Sequence, residues 1–144
     1  MTDHPAECLA RLKRVSTATL TTQLFKRGFR NVFMQGVAPL GCYAENMVGP
    51  AYTLRYIPAR EDLDVVAGFA NTENAQRKAI EHAPAGCVMV QDCRGDARAA
   101  CGGDILMTRL MRRGAAGMVS DGGVRDSRSI AAMNLPVFCA GPSA

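Results

Sequence analysis

Apolar residues in the second half of the chain fall into short blocks separated by charged segments of helical period. Residues 86–91 (GCVMVQ), 116–120 (AGMVS) and 136–140 (PVFCA) are continuous apolar runs of strand length. Between them, 103–113 carries Ile105, Leu106, Leu110 and Met111 at helical spacing and is stopped by Gly114. A short helix is predicted over 126–133. Strand, helix, strand, helix and strand in succession predict a parallel sheet with right-handed crossovers. Upstream, 71–82 (NTENAQRKAIEH) reads as a further helix. In 47–57 (MVGPAYTLRYI), Tyr52, Leu54 and Tyr56 alternate with Thr53 and Arg55, which predicts a strand. Pro50 cannot donate to a ladder and places the start of that strand at an edge or a bulge.

The first third is patterned differently. Pro5 opens a short amphipathic helix over 5–14, with Leu9 and Leu12 on one side. Ser16 and Thr17 are cap candidates for a second helix that Gly28 terminates, with Leu20, Leu24 and Phe25 as its apolar face. Residues 29–44 predict a loop with a short strand near Val32–Met34, and 62–70 has no assignable register. The fold class expected is α/β with N-terminal helices.

Composition changes this picture little. A chain of 144 residues with 48% hydrophobic and 21% charged residues is one globular domain rather than a disordered segment. No apolar run reaches the roughly 18 residues that a membrane span requires, and the N-terminus lacks signal-peptide character. A cytoplasmic protein is expected. The six cysteines (8, 42, 87, 93, 101 and 139) form no CxxC pair or zinc-ligand spacing and are expected to be reduced, Cys87 as a buried hydrophobe. The net charge of +4 is carried mainly by arginine, without a basic block or interleaved aromatics, so no direct contact with nucleic acid is expected.

The candidate chemistry lies at two glycine turns, Gly102-Gly103-Asp104 and Asp121-Gly122-Gly123-Val124-Arg125-Asp126, with twenty residues between Asp104 and Arg125. In a parallel α/β unit, ligands bind beyond the carboxyl ends of the strands, where helix N-termini point. Backbone N–H groups at Gly102-Gly103 and the following helix can hold a carboxylate or phosphate, and Arg125 can take the same anion through two parallel hydrogen bonds. Asp126 can bind a hard cation such as Mg²⁺, which commonly uses one or two protein carboxylates and keeps several waters. Asp104 can then orient a metal-bound water or relay a proton. Each residue also has a plainer reading: Asp126 as a helix cap, Asp104 as a partner of the helix dipole, Arg125 as one half of a surface ion pair, Asp121 as a turn former. Arg94-Gly95-Asp96 reads as a loop. His4 and His82 are isolated, and no serine or cysteine has a recognisable base partner, which disfavours nucleophilic catalysis.

The run GGDILMTRLMRRGAAGMVSDGGVRDSRSIAAMNLPVFCAG resembles the core of the RraA-like family, which includes the regulator of ribonuclease activity A and the class II 4-hydroxy-4-methyl-2-oxoglutarate aldolases. The aldolase branch is marked by an Asp, twenty residues and an Arg-Asp pair, which Asp104, Arg125 and Asp126 match without a gap. STATLTTQL, GPAYTLR and RKAIEHAPAGCVMVQD are similar to further family segments. The resemblance implies a βαβ swivelling-domain fold, like the phosphohistidine domain of pyruvate phosphate dikinases, assembled into homotrimers or homohexamers. It implies Mg²⁺ at Asp126 and a pyruvyl group bound by Arg125 and by the backbone of Gly103, Asp104, Ile105 and Leu106. It further implies that Asp104 positions a metal-bound water, with Asp104 and Arg125 as the catalytic pair. The implied reaction is retro-aldol cleavage of a 4-hydroxy-2-oxo acid, or decarboxylation of oxaloacetate, to pyruvate, with Mg²⁺ polarising the 2-oxo group.

Members of the family run to about 200 residues or more, so this chain is expected to be a single RraA-like domain lacking the C-terminal part. LTTQLFKRGFRNVFMQGV and YTLRYIPAREDLDVV resemble the ribonuclease-regulator branch. That implies the alternative of a non-enzymatic protein that binds and inhibits an RNA-degrading endonuclease.

Overall fold

A computed structural model of the chain describes all residues except 1–5, 59, 61 and 63. Four parallel strands carry the architecture: β2 (Ala51–Arg55), β3 (Val88–Asp92), β4 (Gly117–Ser120) and β6 (Val137–Cys139). They are crossed by α3 (Ala75–His82), α4 (Asp104–Arg112) and α5 (Ser127–Ala131). A short β1 (Ala38–Pro39) adds to β6 in the antiparallel sense, giving the order β1-β6-β4-β3-β2. Two helices precede the sheet, α1 (Ala6–Leu12) and α2 (Thr17–Lys26), and a 3-10 turn (Val66–Ala70) lies between β2 and α3.

The register explains the core. Tyr52, Met89, Met118 and Val137 align across the four parallel strands, and Leu54, Gln91 and Ser120 align one pleat further on. Side chains two apart share a sheet face. On that face Met89, Met118 and Val137 pack with Ile80 of α3, Met107 and Leu110 of α4 and Ile130 of α5. All four residues of β4 are buried, as the uninterrupted apolar run requires of a central parallel strand. Tyr52, Leu54 and Tyr56 meet the same core, as their alternation predicts. Gly28 and Gly114 take positive φ (86° and 79°) and end α2 and α4 where expected.

Several boundaries and one strand differ from expectation. No strand forms at Val32–Met34, where all three side chains are exposed. Asn31 and Gly36 both take positive φ, turning the chain at either end of the segment, and the pairing strand forms four residues later at Ala38–Pro39. The helix expected over 71–82 begins at Ala75. The Asn71 carboxamide binds the Glu73 N–H in a local turn, and Asn74 caps the helix by accepting from Gln76 and Arg77. Pro50 and Pro58 leave only Ala51–Arg55 as strand within 47–57. Part of the second glycine turn is itself extended: β5 (Gly123–Val124) pairs in parallel with β7 (Gly141–Pro142) in a separate small sheet. Pro5 and His4 lie outside the described residues.

Candidate active site at two glycine turns

The two glycine turns meet. Ala100 bridges to Gly123, the Cys101 N–H donates to the Gly123 carbonyl at 2.8 Å, and the Arg125 N–H donates to the Gly102 carbonyl at 3.0 Å. Residues 100–102 therefore run alongside 123–125, and the N-terminus of α4 lies beside the Arg125-Asp126 pair. Gly103 is the N-cap of α4 in an extended conformation and has no side chain with which to cap the helix. Its first helical bond is Met107 N–H to the Gly103 carbonyl at 3.1 Å, so the N–H groups of Ile105 and Leu106 have no partner within the helix.

Gly103 is required by proximity rather than by its backbone angles. A Cβ there would stand 2.5 Å from Asp126 Oδ2 and 2.8 Å from Arg125 Nε. The bare α-carbon lets the guanidinium and carboxylate fold over the helix N-terminus.

Asp126 occupies the N-cap position of α5 with φ 54° and ψ 30°, the left-handed region, and its side chain makes no capping bond. It reaches instead to the neighbouring helix, where Oδ2 accepts from the Asp104 N–H at 3.3 Å. The reading of Asp126 as the cap of its own helix is thereby set aside. Left-handed backbone at a residue with a Cβ costs on the order of 1 kcal/mol and persists where the surroundings over-determine it. Arg125 Nε lies 3.6 Å from Asp126 Oδ2, a loose pair whose side chains are 61% and 43% exposed. The Arg125 guanidinium is thus largely available to an anion from solvent. Asp104 is half-buried in the first turn of α4, and Ile105 is 76% exposed.

Among the described residues, no three or more His, Cys, Asp or Glu side chains gather into a metal cage. The donors at this edge fit a hard, largely hydrated cation held by the single Asp126 carboxylate, a pattern characteristic of Mg²⁺. They do not fit a soft or fully protein-coordinated ion.

Behind the turns lies a supporting layer that local pattern does not reveal. Tyr56 Oη and Gln76 Nε2 both donate to the Cys101 carbonyl, at 3.0 Å and 2.5 Å, fixing the approach to Gly102. Burial pushes the Tyr56 hydroxyl well above its ordinary pKa, so it stays protonated and can donate. Asp121 does not simply shape its own turn. Its carboxylate accepts from the Cys93 N–H at 2.6 Å and from the Gly95 N–H at 2.7 Å, tying the loop after β3 to the end of β4. These partners lie 25 to 45 residues apart in sequence, beyond any short motif. Arg94 and Gly95 both take positive φ in that loop, and Asp96 pairs with Arg98.

The sequence and the fold are those of a known family. The RraA-like family model, described as Aldolase/RraA, matches residues 17–144. A protein of Halalkalibacterium halodurans, provisionally named a 4-hydroxy-4-methyl-2-oxoglutarate aldolase, is 35% identical over 110 residues, covering 72% of this chain and 52% of that protein. Protein DlpA of Legionella pneumophila is 36% identical over 95 residues, 66% of this chain and 14% of its own length. The crystal structure of Streptomyces coelicolor RraAS2, described as an unusual member of the RNase ES inhibitor RraA protein family, superposes with a TM-score of 0.81. It is 32% identical and covers 99% of this chain and 66% of that one. The chain belongs to the RraA-like family and has its α/β fold. It spans about half the length of the Halalkalibacterium relative. The family holds both aldolases and ribonuclease regulators. Among the described residues, no helix is long and apolar enough to cross a membrane.

Proposed function

We propose that the chain is a divalent-metal-dependent carbon–carbon lyase that releases pyruvate from a 4-hydroxy-2-oxo acid or from oxaloacetate. One observation carries this reading: the Arg125 guanidinium, the Asp126 carboxylate and the N-terminus of α4, with the N–H groups of Ile105 and Leu106 lacking a helical partner, converge over the bare α-carbon of Gly103. An interaction module has no need of a left-handed aspartate aimed at a neighbouring helix. Arg125 binds the substrate carboxylate through paired N–H···O bonds. The backbone from Gly103 to Leu106 shares that anion, aided by the positive end of the helix dipole. Asp126 holds the cation, with Mg²⁺ the expected ion. When bound there, the cation supplies Lewis-acid polarisation of the 2-oxo group. Asp104 stands half-buried in the first turn of α4, where its carboxylate can hold or relay a proton. The Halalkalibacterium relative supports the aldolase branch.

The test is pyruvate release from oxaloacetate, read against the rate given by Mg²⁺ alone. The wild-type chain should exceed that background, lose the excess on chelation, and lose about 100-fold or more in Arg125→Ala, the size of loss seen when one anion-stabilising donor is removed. No turnover by the wild type, or undiminished turnover in Arg125→Ala, would overturn the proposal.

A second reading, a non-enzymatic partner of an RNA-degrading endonuclease, is favoured by the likeness to RraAS2 at 32% identity. It expects capture of the nuclease to survive both chelation and Asp126→Ala. Under either reading we propose assembly into a homotrimer or homohexamer, supported by the exposed Phe25, Phe29, Phe33 and Met34. Light scattering behind a sizing column would read the mass.

A further inference from the structure

We propose that Cys93 is a site of oxidation by a hydroperoxide and that Cys101 resolves it, closing a disulfide beneath the two glycine turns. Three elements bring the pair together. Cys93 follows β3, Cys101 precedes α4, and Ser120 ends β4 between them. The Ser120 hydroxyl lies 3.3 Å from the Cys93 sulfur and accepts from the Cys101 thiol at 3.3 Å. Ser120 is fully buried and its oxygen also accepts the Gly122 N–H at 3.0 Å, so it is a fixed point rather than a mobile rotor. Gly122 leaves room for the thiol: a Cβ there would stand 2.7 Å from the Cys93 sulfur.

The two cysteines differ in the way such a pair requires. Cys93 is partly exposed and Cys101 is 3% exposed. The neighbouring Cys101 thiol and the Ser120 hydroxyl hold the Cys93 pKa down to about 7, against the opposing effects of burial, Asp121 and Asp92. Proximity to Cys93, with burial, pushes Cys101 up, so it remains a thiol. A partly exposed thiolate beside a protonated second thiol is the arrangement of a peroxide-reactive cysteine and its resolving partner.

The chemistry balances with the hydroperoxide as oxidant. The Cys93 thiolate attacks one peroxide oxygen and the O–O bond breaks. Sulfur becomes a sulfenic acid, and the departing hydroxide or alkoxide takes a proton and leaves as water or an alcohol. The Cys101 sulfur then attacks the Cys93 sulfur, and the S–O bond breaks. The hydroxide released there combines with the Cys101 proton to leave as water. Together the two thiols give up two electrons, which the O–O bond accepts. The bridge would lock the 93–101 loop, which leads directly into Gly102-Gly103.

The readout is thiol chemistry and is independent of what the site turns over. The reduced full chain is treated with hydrogen peroxide, alkylated, digested with trypsin and analysed by mass spectrometry. The expected product joins the peptide Ala79–Arg94 through Cys93 to Ala99–Arg109, is reversed by dithiothreitol, and is absent in Cys93→Ser. Cys101→Ser should stop at a sulfenic acid on Cys93 that dimedone traps. Alkylation of Cys93 in the unmutated chain should rise with a midpoint near pH 7, which guards against a variant that fails to fold. Both thiols remaining free, oxidation at Cys87 in place of Cys93, or a bridge that forms only between molecules would each overturn the proposal.

Discussion

The two ends of this chain are built on opposite terms. From α3 to β6, each helix buries an apolar residue against the sheet, and Met89, Met107, Leu110, Met118, Ile130 and Val137 are sealed from solvent. From α1 to Met34 neither helix has a buried residue, and Phe25, Phe29 and Phe33 are all more than half exposed. Both regions carry amphipathic helices by pattern, so periodicity alone does not distinguish them. What separates them is whether the chain supplies the opposing surface. The C-terminal region brings its own sheet, and the N-terminal helices present apolar faces that a second surface would complete. The candidate site belongs wholly to the first region, which explains how an exposed arginine and aspartate can be held in a defined arrangement.

Truncating the core should produce the largest effect on this contrast. Leu110→Ala leaves a cavity at a fully buried position and should cost about 2–5 kcal/mol in denaturant unfolding. Phe25→Ala, on the exposed face, should change the stability of the isolated chain by about 0.5 kcal/mol or less. Equal losses at the two positions would mean that the N-terminal helices are packed as tightly as the sheet region.

Gly103→Ala asks whether the rigid region sets the site. The added methyl must displace the Asp126 carboxylate or the Arg125 side chain. Overpacking of this kind costs about 1–3 kcal/mol, and pyruvate release should fall by about tenfold or more. Asp121→Asn probes the clamp on the 93–95 loop. It weakens two charge-assisted bonds and should cost about 1–2 kcal/mol by thermal unfolding, with the sheet intact.

The smallest effect concerns pH. The Arg98 guanidinium beside Asp96 holds that carboxyl down to about 2. A depressed carboxylate contributes stability above its unfolded pKa and loses it as pH falls through the folded value. The small difference in melting temperature between wild type and Arg98→Ala should therefore be present at about pH 6, and should fade between about pH 4 and pH 2.

Much of this molecule was legible in its residues. The apolar runs at 86–91, 116–120 and 136–140 become adjacent parallel strands because a strand buried on both faces leaves a continuous signature. The two glycine turns meet as expected because parallel βαβ wiring puts all such turns at one edge. The exposed segment Val32–Met34 has the composition of a strand without forming one, since β-branched and aromatic residues occur on exposed loops as well as in strands. The clamps made by Asp121, Tyr56, Gln76 and Ser120 were invisible, because each joins residues that only the tertiary fold brings together. The aim of Asp126 at α4, rather than along α5, likewise depends on a left-handed φ that no neighbouring residue type dictates.

We propose that Arg125, Asp126 and the N-terminus of α4 work as one metal-assisted site for a 2-oxo acid. Calorimetric titration of pyruvate into the protein tests it most directly, with and without Mg²⁺, in wild type, Arg125→Ala and Asp126→Ala. Pyruvate should bind the wild type only when Mg²⁺ is present, and about tenfold or more weakly in either variant, as expected for loss of one charged contact. Pyruvate binding that is unchanged by chelation, or unchanged in Arg125→Ala, would contradict it.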